Sequence, residues 1–203
     1  MIKRFSWKEG DLHSIKLKND LYIISQLLAK PYAAFFSVVS KKDFCTSNNY
    51  YNLNNENPLI VTMMLNSFFK QTSVGRIKNK NIENNKNIVI PTRFISKDKG
   101  QYGVFMKDEE LIYNIVEIDP NEGDQGIMGN KIIERNITSD SQFYNKCELT
   151  GYNTGYEFVR RLLLSLEYKK PIDPLKEIWF HGSDPYSLKT VQEMWDIGVP
   201  KYE

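Results

Sequence analysis

Histidine and cysteine, the residues that most often carry catalytic or metal chemistry, are scarce in this chain. The two histidines are His13 and His181, and the two cysteines are Cys45 and Cys147. A histidine-based catalytic site would need one of the histidines beside a nucleophile or a carboxylate, and a metal site would need several ligands at usable spacing. We interpret both histidines as structural or exposed, and we predict no catalytic residues, no metal site and no cofactor. An enzyme with a dispersed site stays a further alternative. The thiols are expected to stay free in a reducing cytosol.

Two short motifs resemble ligand-binding loops without matching them. Asp119, Asn121 and Asp124 resemble the start of a calcium loop, but the glycine and the closing acid of such a loop fall at the wrong positions. The glycines at positions 123, 126 and 129 lack the Lys-Ser or Lys-Thr pair that follows a phosphate-binding loop. We interpret them as turn residues with a positive φ.

Charge is unevenly distributed along the chain. Residues 1–100 carry 16 Lys and Arg against 7 Asp and Glu, whereas residues 101–203 carry 11 against 18. Such asymmetry can mark a charged partner, and it can equally reflect two solvated faces that attract each other.

The most acidic segment lies between residues 108 and 124 and contains no Lys or Arg. Its carboxylates belong to Asp108, Glu109, Glu110, Glu117, Asp119, Glu122 and Asp124. Carboxylates on an inhibitor can imitate the phosphates that a nucleic-acid-cleaving toxin binds, and they can steer association. The alternative is a solvated loop that only aids solubility.

The basic N-terminal half favours a different partner. Its loop lysines and arginine alternate with aromatic residues, namely Lys78, Lys80, Lys86, Arg93, Phe94, Lys97, Lys99 and Tyr102. A small β-barrel with such loops could bind single-stranded nucleic acid by stacking and charge. The net charge of +2 is far below that of most such domains, so this function is retained only as an alternative.

The first two-thirds of the chain predict strands. Residues 5–40 alternate apolar runs with breaks at Asn19-Asp20 and Pro31, which predicts a three-stranded β-meander. Residues 59–69 form a continuous apolar run that predicts a buried strand or a short helix. After a turn at residues 97–100, residues 102–106 and 111–118 predict a hairpin.

The last third predicts two helices. Thr154 and Glu157 form a capping-box pattern before an apolar stripe that Pro171 ends. The second helix is predicted to begin at Asp184-Pro185 and to stop before Gly198.

Strands first and helices last predict an α+β fold. We expect a curved or barrel-like antiparallel β-sheet in the N-terminal two-thirds, with two C-terminal helices packed against it. The domain prediction is a β-rich unit at residues 1–120 and a helical extension at residues 121–203 on the same core. No apolar run approaches the roughly 18 residues that cross a bilayer, and no signal peptide is visible, so we expect a cytoplasmic protein without a membrane partner.

The start of the chain resembles a known family. Lys8-Glu9-Gly10-Asp11, followed by a strand and then Tyr22, resembles the opening of the twenty-sixth immunity-protein family of bacterial polymorphic toxin systems. Val74-Gly75 resembles the glycine turn of that family. The later sequence Pro91, Phe94, Asp98, Gly100 and Tyr102 is similar to its second half. The resemblance covers roughly residues 3–118.

This resemblance implies an immunity protein, an antitoxin that binds one cognate toxin and blocks it without catalysis. Such an interface should hold a few aromatic anchors inside a polar rim. The predicted toxin contacts are Tyr50 and Tyr51, in an Asn-rich loop, together with the acids of residues 108–124.

Overall fold

A computed structural model describes residues 4–98, 112–118 and 131–202. The chain divides into two compact units. The larger unit comprises residues 1–90, 152–174 and 185–203, and the smaller unit comprises residues 91–151 and 175–184. The predicted domain boundary near residue 120 lies outside the described residues and stays a prediction.

An open antiparallel sheet forms the body of the larger unit. Five strands lie in the order β5-β3-β2-β1-β6, and a separate short pair joins β4 to β7. The predicted meander is β1 to β3, and its first turn contains Asp20 in the left-handed region at φ 54°. The strands are β1 (Leu12–Lys18), β2 (Leu21–Leu27), β3 (Tyr32–Ser40), β4 (Tyr51–Asn52), β5 (Ile60–Met63), β6 (Ser73–Arg76) and β7 (Ile82–Glu83).

Three helices belong to the larger unit: α1 (Asn66–Thr72), α2 (Gly155–Tyr168) and α4 (Val191–Asp196). The run of residues 59–69 was predicted to form a buried strand or a short helix. The structure contains both, because β5 is followed by α1. Phe158 and Leu162 of α2 and Met194 of α4 are buried in the same cluster as the sheet residues Ile15, Leu27 and Phe35. The two predicted C-terminal helices therefore pack on the sheet.

The starts of these two helices differ from the prediction. Thr154 is the N-cap of α2, but its side chain makes no capping hydrogen bond, and its Oγ1 lies 3.1 Å from Oγ of Ser67. The capping box occurs instead at α4, where Thr190 Oγ1 accepts from Glu193 N at 3.2 Å. Glu193 Oε2 accepts from Thr190 N at 2.8 Å. The second predicted helix thus begins at Val191 and not at Asp184-Pro185.

Within its described residues, the smaller unit has its own sheet and one helix, α3 (Pro174–His181), which the sequence prediction lacked. The strand order is β10-β9-β8-β11. Trp179 and Phe180 of α3 pack against a cluster that includes Ile95, Tyr113 and Ile115. The strands are β8 (Arg93–Asp98), β9 (Ile112–Glu117), β10 (Lys131–Glu134) and β11 (Glu148–Leu149).

The predicted hairpin of the smaller unit needs a correction. Lys97 and Asp98 belong to β8, opposite Tyr113 and Ile112 of β9, rather than to a turn. The predicted strand at residues 102–106 lies outside the described residues.

The predicted α+β class is confirmed. The larger sheet is open, with β5 and β6 at its edges, so the barrel-like form of the prediction is not adopted. Across the described part of the chain, no helix is both long enough and apolar enough to span a bilayer.

Candidate functional site: two asparagine-rich loops

Two polar loops of the larger unit lie side by side. The first Asn loop comprises residues 41–58 and contains β4, and the second Asn loop comprises residues 78–87 and contains β7. The two short strands pair in parallel, with Tyr51 opposite Ile82 and Asn52 opposite Glu83. Tyr51 N donates a hydrogen bond to the carbonyl of Asn81 at 2.8 Å. Segments that are some 30 residues apart in sequence therefore form one surface.

Asparagine side chains join the loops to each other. Asn79 Nδ2 donates to the carbonyl of Ser47, and Asn81 Nδ2 donates to the carbonyl of Asn48 at 3.1 Å. In the opposite direction, Lys86 N donates to Oδ1 of Asn54 at 2.8 Å. Asparagine suits both directions because its amide group carries a donor and an acceptor, whereas an aspartate only accepts.

The same residue type also shapes each loop internally. Oδ1 of Asn52 accepts from Asn54 N at 3.0 Å, and Oδ1 of Asn79 accepts from Asn81 N at 2.9 Å. These contacts across two residues are Asx turns, which fix a reversal without a long-range partner. Each loop is therefore held both locally and by its neighbour.

Hydrogen bonds between two buried amide residues join the second Asn loop to the sheet. Gln26 of β2 and Asn85 are both almost fully buried. Gln26 Nε2 donates to the carbonyl of Asn85 at 2.8 Å, and Asn85 N donates to Oε1 of Gln26 at 2.9 Å. Asn85 Nδ2 then donates to the carbonyl of Glu56 in the first Asn loop at 2.9 Å. Asn84 Nδ2 adds a bond to the carbonyl of Gly10.

An apolar floor lies beneath the loops. Phe44, Leu53 and Ile82 are buried, and the ring of Phe44 meets the ring of Tyr51 edge-on at 5.6 Å. Phe44 N donates to Oγ of Ser14 in β1 at 3.1 Å. The surface thus rests on a packed base.

The two predicted tyrosine contacts have different environments. Tyr51 is half-buried against Phe44, so it supports the surface from within. Tyr50 is 62% exposed, and its hydroxyl donates to Oε1 of Glu83 at 3.0 Å. That hydrogen bond to a carboxylate raises the pKa of Tyr50. Tyr50 therefore presents an aromatic ring to solvent while its hydroxyl is bonded to Glu83.

The charge of this surface is mainly positive. Five exposed lysines, Lys41, Lys42, Lys78, Lys80 and Lys86, lie on the two loops. The acidic side chains there are Asp43, Glu56 and Glu83. The loops therefore present the opposite sign to the predicted acidic contact segment.

Of the seven predicted acids, Glu117 falls within the described residues. It is half-exposed in β9 of the smaller unit, with Oε1 3.7 Å from Nε of Arg93. The other six, Asp108, Glu109, Glu110, Asp119, Glu122 and Asp124, lie outside the described residues. Their role in partner binding stays a prediction.

His13 lies among groups that resemble a catalytic set, but it is sealed from solvent. Its Nδ1 is 3.0 Å from Oγ of Ser73, and Asp11 forms a 2.9 Å ion pair with Arg76 close by. His13 is 4% exposed, and Ser73 is fully buried. Burial lowers the pKa of His13 to about 4, so the ring is neutral at pH 7. A substrate could not reach this serine, and we assign the cluster to packing.

His181 is the last residue of α3, so its predicted position at a helix end is confirmed. Its Nε2 lies 3.7 Å from Oε2 of Glu177, and Tyr144 donates to the other oxygen of that carboxylate at 3.1 Å. Within the described ranges, no three His, Cys, Asp or Glu residues come together as a metal site would require.

Sequence reasoning missed the asparagines that organise the second Asn loop. Its signal was compositional, because five of its ten residues are asparagine: Asn79, Asn81, Asn84, Asn85 and Asn87. That density predicts turns, but it does not reveal that the amides reach another loop.

These features define a class, an α+β protein whose open sheet carries a surface of two polar loops that hydrogen bonds join to each other. The chain belongs to the family described as "Domain of unknown function (DUF8309)", whose model matches residues 2–183. The match includes both Asn loops as well as α2 and α3. No curated protein and no solved structure matches the chain.

Proposed function

We propose that this protein is an immunity protein, a stoichiometric inhibitor that binds a cognate bacterial toxin and covers its active surface. The two Asn loops supply the contact surface, with Tyr50 as its aromatic anchor. The observation that carries the proposal is the hydrogen-bond network that holds both loops in one arrangement before any partner arrives.

Preordering matters because a loop that becomes ordered on binding loses conformational entropy, which weakens the complex. The hydrogen bonds between the Asn loops reduce that loss. The loops are also rich in asparagine and carry two adjacent tyrosines, Tyr50 and Tyr51, and antibody paratopes use both residue types for contact area and adaptable hydrogen bonds. Both properties suit a surface that recognises one protein tightly.

The chemistry of the loops indicates what the toxin surface should offer. Tyr50 needs a pocket that accepts an aromatic ring and leaves its hydroxyl bonded to Glu83. The loop lysines fit carboxylates at the rim of that pocket, where they would raise the association rate. The acids of residues 108–124 are the second proposed contact, directed at a basic part of the toxin.

Inhibition by coverage requires no chemistry from the protein itself, and the proposal therefore includes no catalytic residue and no cofactor. We place the protein in the cytoplasm, where its thiols would stay reduced. Burial and Asp43 raise the pKa of Cys45 to about 11, which disfavours the reactive thiolate at neutral pH.

The test is co-expression with the product of the neighbouring upstream gene, as the candidate toxin, followed by pull-down and rescue of growth. Tyr50→Ala should weaken toxin affinity by roughly tenfold or more, because exposed aromatic anchors dominate such interfaces. Tyr168→Ala is the matched control, since Tyr168 is a similarly exposed tyrosine at the end of α2. A parent protein that neither binds nor protects against that toxin would refute the proposal.

Nucleic-acid binding is the second candidate, and the lysines beside the exposed Tyr50 ring are the observation that favours it. This function predicts retention on single-stranded DNA or RNA at about 50 mM salt, with an affinity that falls steeply as salt rises. Retention of that kind, without toxin binding, would replace the first proposal. Loss of retention in Lys80→Ala but not in Lys170→Ala would assign it to the loops.

A further inference from the structure

An apolar groove of about 840 Å³ lies in the larger unit, and none of its lining residues belongs to either Asn loop. Its walls come from the sheet, from the second half of α2 and from the segment of residues 187–197. The main aliphatic side chains that line it are Leu21, Val39, Leu59, Leu166, Leu188 and Ile197.

The groove is open and its aliphatic wall is incompletely covered. Val39 is 50% exposed and Ile197 is 37% exposed. A volume of this size falls within the range of roughly 300–1,000 Å³ that is usual for small-molecule sites, which are likewise mainly apolar with a few polar groups. Exposed aliphatic groups that converge on one concave site differ from single apolar residues scattered on a surface.

Two lysines are also among the lining residues, Lys18 at the end of β1 and Lys169 at the end of α2. Among the described residues, neither forms an ion pair with a carboxylate. Glu167 is the one acidic residue in the lining, so positive charge exceeds negative charge. The polar part of the site therefore favours an anion.

The backbone is unusual at two of the lining residues. Lys169 and Leu188 have φ angles of 55° and 59°, in the left-handed region that bulky residues rarely occupy. Backbone strain of this kind concentrates at functional sites, where the surrounding structure maintains it. Both residues turn the chain at the groove, one at the C-terminus of α2 and the other before α4.

The lining also distinguishes a hydrocarbon from a peptide. A peptide would bring amide groups that lose hydrogen bonds to water, and the groove offers few replacements. Its serines are Ser37, Ser165 and Ser187, and Oγ of Ser165 already accepts from Ile172 N at 2.9 Å. An unbranched alkyl chain has no such groups to satisfy.

We propose that this groove binds a single-chain aliphatic carboxylate of the fatty-acid type. The alkyl chain lies on the aliphatic wall, and the ammonium groups of Lys18 and Lys169 bind the carboxylate. The proposed site shares no residue with the proposed toxin surface, because none of its lining residues lies in either Asn loop.

Calorimetric titration of the full chain with octanoate, decanoate and dodecanoate, each below its aggregation concentration, tests the alkyl site. Each added methylene should tighten binding about fourfold until the groove is full, as expected from the burial of one methylene. Dodecanol and dodecyltrimethylammonium should bind at least tenfold more weakly than dodecanoate. Equal affinity for the three head groups, or no dependence on chain length, would overturn the proposal.

Variants assign the binding to the groove. Val39→Glu should weaken dodecanoate binding at least tenfold by placing a carboxylate in the aliphatic wall, whereas Val74→Glu, at a 38% exposed valine on β6, should not. Ile197→Glu, with Val191→Glu as control, repeats the comparison if the first variant fails to fold. Equal affinities within both pairs would exclude the groove.

The double change of Lys18→Glu with Lys169→Glu should abolish the preference for dodecanoate over dodecanol and leave dodecanol affinity unchanged. A preference that survives this change would show that other groups hold the carboxylate and would overturn that part of the assignment. Toxin binding, measured on Val39→Glu, should be retained, so that failure of one proposal does not imply failure of the other.

Discussion

Amide side chains carry an unusual share of the long-range contacts in the candidate surface. An isolated polar loop has little to bury, so its order depends on hydrogen bonds whose partners would otherwise be solvated by water. Exposed bonds of this type contribute little each, whereas a buried one is costly to break because its partner stays unsatisfied. The buried pair of Gln26 and Asn85 should therefore dominate the network.

Gln26→Leu should lower the free energy of unfolding by about 2–4 kcal/mol, because it leaves the backbone N–H and carbonyl of Asn85 buried without these partners. Urea denaturation measures the loss. Asn81→Ala is the control and should cost less than about 1 kcal/mol, since Asn81 is exposed and its lost bond can be replaced by water. Equal losses would mean that the buried pair does not dominate.

His13 predicts a specific dependence of stability on pH. The folded pKa of about 4 lies below the unfolded value of 6.5, so the unfolded chain binds more protons between these pH values. The contribution is fully present above pH 6.5, is lost progressively as pH falls toward 4, and amounts to about 3 kcal/mol in total. The groups facing the ring are Asp11, Arg76 and Ser73, together with neighbouring aromatic rings.

Denaturation of His13→Gln and the parent at several pH values measures that contribution. The difference in unfolding free energy between them should shrink as pH falls from 6.5 to 4. A constant difference for His13→Gln would mean that the buried ring does not resist protonation.

Elements show how far local sequence rules extend in this chain. The meander was predictable because Asn and Asp favour a turn on their own, so the turn at Asn19-Asp20 needs no distant partner. Helix α2 was predictable because its apolar stripe is long. Helix α3 follows Asp173-Pro174, and the same dipeptide at Asp184-Pro185 begins no helix. The residues after each dipeptide differ. Leu175, Lys176 and Glu177 favour a helix after Pro174, whereas Leu188, three residues after Pro185, adopts a positive φ.

The candidate surface was less predictable than these elements. Tyr50 could be selected as an exposed aromatic in a polar loop. The pairing of β4 with β7 could not, because strands of two residues have no periodicity and their partner lies far along the chain. The groove has the same origin, since its lining residues come from at least five separated segments.

The two capping-box patterns give a paired test of local against tertiary structure. Thr154 and Glu157 have the same spacing as Thr190 and Glu193, but only the second pair forms the box. Thr190→Ala should therefore cost about 1 kcal/mol of unfolding free energy, and Thr154→Ala less than about 0.5 kcal/mol. Thermal or urea denaturation compares them. A larger loss for Thr154→Ala would show that the sequence pattern, and not the observed hydrogen bonds, predicts helix capping here.

The larger unit joins the two ends of the chain. Asn19 N, in the turn between β1 and β2, donates to the carbonyl of Gly198 at 2.9 Å. Val199 and Met194 then enter the same core as β1 and β2. Contacts between residues so far apart in sequence cost loop-closure entropy, which the packing of these side chains has to outweigh.

Gly198 is the residue that contacts the turn between β1 and β2 most directly. Its φ is 89°, and a β-carbon there would lie 2.7 Å from Nδ2 and 3.2 Å from Cβ of Asn19. Gly198→Ala should therefore lower the unfolding free energy by about 2–3 kcal/mol, of which about 1 kcal/mol is the cost of the left-handed conformation. The remainder is the collision with Asn19, and Asn19→Gly in the same chain should recover it.

Gly182→Ala provides the matched control for that measurement. Gly182 also has a positive φ, at 74°, but a β-carbon there would meet no atom within 4 Å. Its loss should thus be limited to about 1 kcal/mol of backbone strain. Chemical denaturation of the variants separates the two costs. If Gly198→Ala and Gly182→Ala lowered the free energy of unfolding by the same amount, the contact between residue 198 and the first turn would not stabilise the sheet. The packing of residues 194–199 against the sheet would then depend on the core side chains alone.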